Sequence, residues 1–292
     1  MEKQNDDILM KVRSTRACIG AGYRLYTHNF KSIFRYSWVA ALLYGAICSF
    51  SGTLLVLAPR MMMLTVLLIL IAEALFAAYG FSILKQHQTL GYIPKPAKWY
   101  NIDSHIFART LKAYIYQLAI YLIAGAFVGG IAYGTFKLLS TYTALGSVFV
   151  MMLVCICLIL PIVYVLFRYI LNDTVGFWKQ FRVNYGIGLH HWGSIFIVLF
   201  VAILVEIVLT AFTALPATIL SFANMQANAG VMMGDPYGMP SYIAPLTAGT
   251  FLLIGFIQAY VQLTLLFPLY YLYGSIDMQE QERQELKKSQ QQ

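Results

Sequence analysis

The chain has 292 residues, 60% of them hydrophobic and only 11% charged, with a formal net charge of +8. A soluble domain carries about 25% charged residues, and the mean hydropathy of +0.68 leaves too little polar surface to face water. A water-facing fold is excluded, and the composition predicts an all-α, polytopic membrane protein with the bilayer as its solvent.

Residues 1–36 form a polar and basic N-tail with no apolar signal-peptide core, so the first span is expected to act as its own insertion signal. From Ile19 the pattern becomes amphipathic. Ile19, Tyr23, Tyr26, Phe30 and Ile33 share one face, with Arg24, Lys31 and Arg35 off it. This predicts an interfacial helix, its aromatics in the acyl boundary and its cations toward head groups. Span 1 covers 37–58 and Pro59-Arg60 makes a tight turn. Span 2 covers 61–84 and carries Glu73.

A polar connection with Gly91, Pro94 and Pro96 leads to a second amphipathic stretch, from Trp99 through Tyr100, Phe107, Leu111 and Tyr114. Span 3 covers 113–136. Its Gly125, Gly129, Gly130 and Gly134 make two GxxxG spacings, which predict close approach of a neighbouring helix. Span 4 covers 143–169, with Pro161 as an expected kink. The third lead-in places Phe177, Trp178, Phe181, Tyr185, Leu189 and Trp192 three or four apart, with Lys179 and Arg182 off that face. Span 5 covers 195–222, with Glu206 near its middle and Pro216 late.

The stretch 223–241 is rich in Gly, Asn, Met and Pro and is expected to be irregular. Span 6 covers 242–273. It exceeds the roughly 20 residues needed to cross, so it should tilt, bend at Pro245 or Pro268, or protrude. A polar cytoplasmic tail, 274–292, follows. The membrane domain is thus 37–273, with amphipathic interfacial helices before spans 1, 3 and 5. Phe30, Trp99, Trp178 and Trp192 are its interfacial aromatics.

Six spans return the chain to its starting side. Eighteen of the 20 Lys/Arg residues fall on that side. The positive-inside rule then predicts a multi-pass protein of the cytoplasmic (inner) membrane, with cytoplasmic N- and C-termini. The same asymmetry accounts for the net charge. With no binding motif beside it, no nucleic-acid partner is expected.

An internal repeat runs through the chain. His28, Phe30, Ser32-Ile33-Phe34, Trp38 and Val39-Ala40 match His190, Trp192, Ser194-Ile195-Phe196, Phe200 and Val201-Ala202 at a constant offset of 162. The 99–136 segment shares the physics but not the letters. The reading is three units of equal orientation, each a lead-in helix plus a two-span hairpin, about an axis along the membrane normal. This layout, as in 26–38 and 185–200, resembles poorly characterised bacterial six-span proteins of the glycerophosphoryl diester phosphodiesterase membrane-domain type. It covers most of the chain without a diagnostic motif. No soluble phosphodiesterase domain is attached, so the resemblance implies neither that activity nor any functional residue.

The residues most able to carry chemistry are intramembrane and polar. A charge at a helix centre costs about 2.5–3.5 kcal/mol on insertion. In 195–209, 13 of 15 residues are Ile, Leu, Val or Phe, and at about 0.3–0.6 kcal/mol each they outweigh it. Glu73, Glu206 and Gln262 each lie 11 residues from the cytoplasmic end of their span, roughly 16 Å deep. Gln258 is one turn above Gln262. Together they predict a polar midplane site for a proton, cation or polar solute. The bland alternative is interhelical hydrogen bonding, with one or both carboxyls protonated.

The remaining candidates are weaker. His28, His87, His105, His190 and His191 all fall in lead-ins or connections and read as interfacial aromatics, not as an iron cluster. Met61–Met63, Met225, Met232, Met233 and Met239 lack a regular Cu(I)-binding repeat. Cys18, Cys48, Cys155 and Cys157 have neither zinc nor redox spacing. No nucleophile or phosphate-loop motif appears. No cofactor or metal is therefore expected, and catalytic residues are assigned to none.

The leading expectation is a non-enzymatic scaffold or accessory subunit. Its lead-in helices, with their fifteen Lys/Arg including the adjoining tail and connections, would hold anionic head groups or a membrane or cytosolic protein partner. The alternative is a small-solute or proton-coupled transporter using the midplane residues. A membrane enzyme ranks third.

Overall fold

The computed structural model describes residues 9–57, 59–94, 103–138, 141–172, 175–234, 240 and 242–290, and these contain no strand. Eight α-helices follow in order: α1 (Thr15–His28), α2 (Phe30–Leu57), α3 (Met62–Leu90), α4 (Ser104–Leu138), α5 (Thr141–Leu171), α6 (Phe177–His190), α7 (Trp192–Met232) and α8 (Ile243–Ser289). Six of them, α2, α3, α4, α5, α7 and α8, are long and apolar enough to cross a membrane. The protein is a six-span, multi-pass membrane protein.

Local chemistry sets the helix ends. Ser14 is extended, and its hydroxyl accepts from the Ala17 N–H to start α1. Asp103 Oδ1 accepts from the His105 N–H (3.0 Å) to start α4. Gly91 ends α3 in the left-handed region (φ 75°), which a side chain would resist.

The three hairpins are α2–α3, α4–α5 and α7–α8. Their second helices, α3, α5 and α8, touch one another and form an inner ring. The first helices α2, α4 and α7 lie outside it. Each first helix also packs on the second helix of the preceding hairpin: α4 on α3, α7 on α5, and α2 on α8. The order closes on itself, which gives the three-unit ring its cyclic form.

The repeat is exact in geometry at two units. α1 and α6 are both 14 residues long, and 162 residues separate both their starts and their ends. Each ends at a hinge residue of nearly the same conformation, Asn29 (φ −102°, ψ 11°) and His191 (φ −97°, ψ 20°). The Asn29 N–H donates to Leu25 O and Thr27 O, and the His191 N–H to Ile187 O and Leu189 O.

The buried faces share Tyr26 and Phe177 with the aromatic faces expected and otherwise differ from them. α1 buries Cys18, Gly22, Leu25 and Tyr26, and α6 buries Phe177, Gln180, Asn184 and Gly188. Small residues win because they let two backbones approach. α1 lies antiparallel along α8. Arg13 N–H donates to Ser275 Oγ (2.9 Å), Gly22 faces Pro268, and Tyr26 Oη donates to Tyr260 O (2.9 Å). A Cβ on Gly22 would stand 2.5 Å from Pro268 Cα.

α6 lies antiparallel along α5, where a Cβ on Gly188 would stand 2.7 Å from Pro161 O. Pro161 sits inside α5 as expected. It has no N–H for the carbonyl four residues back, and that carbonyl, Cys157 O, accepts instead from Trp192 Nε1 (3.0 Å). Tyr185 Oη donates to the neighbouring Leu158 O (2.9 Å).

Several expectations change. The second lead-in is not a separate helix: from Ser104 onward it is continuous with span 3 in α4, because no hinge residue interrupts 104–138. Its start, including Trp99, lies outside the described residues. The expected irregular stretch after 222 is helical as far as Met232, since its Ala, Gln, Asn and Met residues tolerate helix. α8 passes 273 without a break and continues to Ser289. Pro268 lies inside it, whereas Pro245 falls in its first turn, where the missing N–H costs nothing.

On the side of the bundle holding both described ends, polar contacts tie the helices together. Arg109 donates to Tyr169 O, Asn172 O (2.9 Å) and Val175 O (3.0 Å), capping the end of α5. Arg168 pairs with Asp277 (3.0 Å), and Lys85 Nζ donates to Leu171 O (2.5 Å). His191 Nε2 lies 3.4 Å from Glu280 Oε1.

Candidate functional site

Glu73, Glu206 and Gln262 come together. They line a cavity of about 150 Å³ whose wall also includes Phe76, Ala77, Tyr114 and leucines of α8. Glu73 comes from the inner-ring helix α3, Tyr114 from α4, Glu206 from α7 and Gln262 from α8. The depth layer read from the sequence is therefore a site shared by all three hairpins.

Gln262 organises one side of it. Its Nε2 donates to Tyr44 Oη (2.8 Å) and reaches Glu73 Oε1 at 3.4 Å. Tyr44 is the residue of α2 that stands 162 positions before Glu206. The repeat thus aims the same helical position of two units at the same centre, once with a phenol and once with a carboxylate. Among the described residues no Lys, Arg or His lines the cavity. Inside a medium of low dielectric, two nearby carboxylates without a cation are not both stable as anions. The site therefore calls for protons, a cation, or an exchange between them.

α1 contributes from outside the spans. Burial, and secondarily the Glu206 carboxylate, push the Tyr23 phenol above its ordinary range. The Tyr23 hydroxyl has no hydrogen-bond partner among the described residues.

Gln258 does not line the cavity. Its Nε2 donates to Thr210 Oγ1 (2.9 Å), one turn along α7 from Glu206, and so joins α7 to α8. Gly125, Gly129, Gly130 and Gly134 meet nothing within 4 Å of a built Cβ. They belong to an outer-ring helix, so their expected packing partner is absent among the described residues. Phe30 and Trp178 are exposed, as interfacial aromatics would be, and stand edge-on to Tyr26 (5.7 Å) and Phe177 (5.6 Å) respectively. Trp192 donates its indole N–H to Cys157 O, four residues before Pro161. His87 is not interfacial: it is buried between inner helices with Nδ1 3.0 Å from Tyr270 Oη.

Tyr114, in the wall, and Tyr44, bonded to Gln262, are the site residues that sequence reasoning missed. A signal existed for Tyr44. A hydroxyl deep in an apolar span must find a partner, and Gln262 is its partner. Among the described residues no group of three or more His, Cys, Asp or Glu is placed to hold a metal.

Fold and site together define a six-span α-helical membrane protein built as three hairpins, with a cavity lined by Glu73 and Glu206 among them. No family model, curated protein or solved structure matches the chain.

Proposed function

We propose that this is a membrane transport protein that exchanges protons at the Glu73–Glu206 pair against a small solute. Its termini would be cytoplasmic and its location the cytoplasmic membrane, as the Lys/Arg asymmetry favours. The observation that carries the reading is the convergence of Glu73 and Glu206, 133 positions apart in the chain, on one cavity with no basic residue among the described residues of its wall. Intramembrane carboxylates facing a cavity mark proton and ion paths.

The scaffold reading drew on the Lys/Arg of the lead-in helices and connections. α1 and α6 each pack one face within the chain, α1 on α8 and α6 on α5. That leaves the carboxylate pair as the feature a scaffold does not need.

Dicyclohexylcarbodiimide, which reacts with protonated carboxyls in apolar surroundings, provides the test. With the full chain in lipid vesicles, adducts should map to Glu73 and Glu206. A pH gradient should drive solute flux that Glu73→Gln and Glu206→Gln each abolish. Absence of adducts, together with no gradient-driven flux across a panel of cations, amines and amino acids, would return the protein to the scaffold class.

A further inference from the structure

A second cavity of about 260 Å³ lies beside the acidic one, between α2 and α3. Its wall includes Ala40, Leu43, Tyr44, Ala72, Phe76 and Phe107. Among the described residues no charged one lines it. Two of these residues form a partition with the acidic cavity. Phe76 lines both spaces, and Tyr44 accepts the hydrogen bond from Gln262. Ala72 precedes Glu73 directly, so the apolar chamber and the carboxylates share one depth. Leu43, at 57% exposure, opens the chamber toward the surroundings of the outer ring, which in a membrane are acyl chains.

We infer that the solute is a lipophilic organic monocation, with its ring system in the α2–α3 chamber and its charge against Glu73 and Glu206. This rests on the transport reading above. Three features select the class. Two carboxylates without a basic neighbour select a cation. Bare Mg²⁺ and Ca²⁺ are disfavoured, because they need six or more oxygens: Gln262 turns its Nε2 and not its amide oxygen toward Glu73, which leaves the carboxylate oxygens and one phenol of the wall. The adjoining apolar space fits a group of about two aromatic rings, given that a 150 Å³ cavity holds roughly one benzene. Phe76, Tyr44 and Tyr114 supply ring faces for the cation.

The exchange balances. A carboxyl of the pair gives up one proton to the aqueous phase as one monocation binds, so the cavity's charge is unchanged. Solute approaches laterally from the lipid, past Leu43, and does not cross the outer water layer first.

The experiment uses the full chain in lipid nanodiscs and a tritiated two-ring permanent cation, the para-phenyl N-methylpyridinium ion. Binding should release about one proton per cation in weakly buffered solution. Glu73→Gln and Glu206→Gln should each weaken it about tenfold or more, the loss expected for one buried charge contact. Leu43→Trp, at an exposed position that tolerates bulk, should narrow the chamber and weaken cation binding about fivefold or more. It should leave carbodiimide labelling of Glu73 unchanged. The uncharged para-methylbiphenyl should not displace the cation.

Labelling of both glutamates without cation binding, or binding untouched by Leu43→Trp, would overturn the solute class while the proton site stands. Absence of both labelling and binding would remove the site itself.

Discussion

The two lead-in helices, α1 and α6, share length, hinge geometry and most buried positions, yet their units do different work. α1 seats on α8, where Tyr26 donates to Tyr260 O. α6 seats on α5, and its Tyr185 and the following Trp192 serve carbonyls around Pro161. At the shared midplane position one copy holds Tyr44 and the other Glu206. Repetition fixes where a residue points. A single substitution between copies then decides whether that point carries a neutral hydrogen bond or an ionisable group.

Making the copies alike is the sharpest way to test this. Glu206→Tyr should leave the fold intact and abolish carbodiimide-sensitive proton exchange, read by gradient-driven flux in vesicles. Persistent exchange would mean that Glu73 suffices alone. Next in size is the seat of α1. Gly22→Ala forces a Cβ onto the Pro268 backbone and should destabilise by about 1–3 kcal/mol. Gly20→Ala, two residues away in open space, should stabilise by about 0.5–1 kcal/mol through helix propensity. Melting curves in detergent would separate them, and equal shifts would deny the Gly-on-Pro contact.

Trp192→Phe comes third. It keeps the ring but leaves Cys157 O without a donor, at a cost of about 1–2 kcal/mol. The matching Phe30→Leu in the other copy removes no hydrogen bond and should cost less. A Trp192→Phe protein that melts like the parent would show that Cys157 O is satisfied another way.

The smallest effect concerns the hinges. Burial holds the His191 imidazole below its usual value near about 6.5, with Glu280 opposing the shift and His190 and Arg283 adding to it. The unfolded chain therefore takes up this proton first. The hinge's contribution to stability is complete above about pH 6.5 and falls as pH drops from there toward the lowered folded value. Asn29 has no such titration, so His191→Asn should flatten that slope in melting temperature. An unchanged slope would place the titration elsewhere.

Hydropathy and charge made the six spans legible in the sequence, because insertion energy depends on composition more than on contacts. Depth was legible too, since rise per residue is fixed, and Glu73, Glu206 and Gln262 do share a cavity. Rotation about each helix axis was not. Gln258 is one turn from Gln262, yet it binds Thr210. Tyr114 and Tyr44 were hidden among 21 tyrosines, whose phenols serve both interfaces and cores. The lead-ins were read as membrane-facing aromatics because amphipathic patterns report polarity, whereas Cys18, Gly22 and Gly188 are buried for their size.

The closed ring also bears on synthesis. α1 and α2 have α8 as a main partner, and Tyr26 and Tyr260 are separated by 234 positions. At about 5–20 residues per second, the amino-terminal hairpin waits roughly 10–50 s for its neighbour to emerge. Over that interval Gly22, Gly45 and Gly52, which α8 later covers, face lipid or an insertion factor, and the bundle becomes whole only when its last helix arrives.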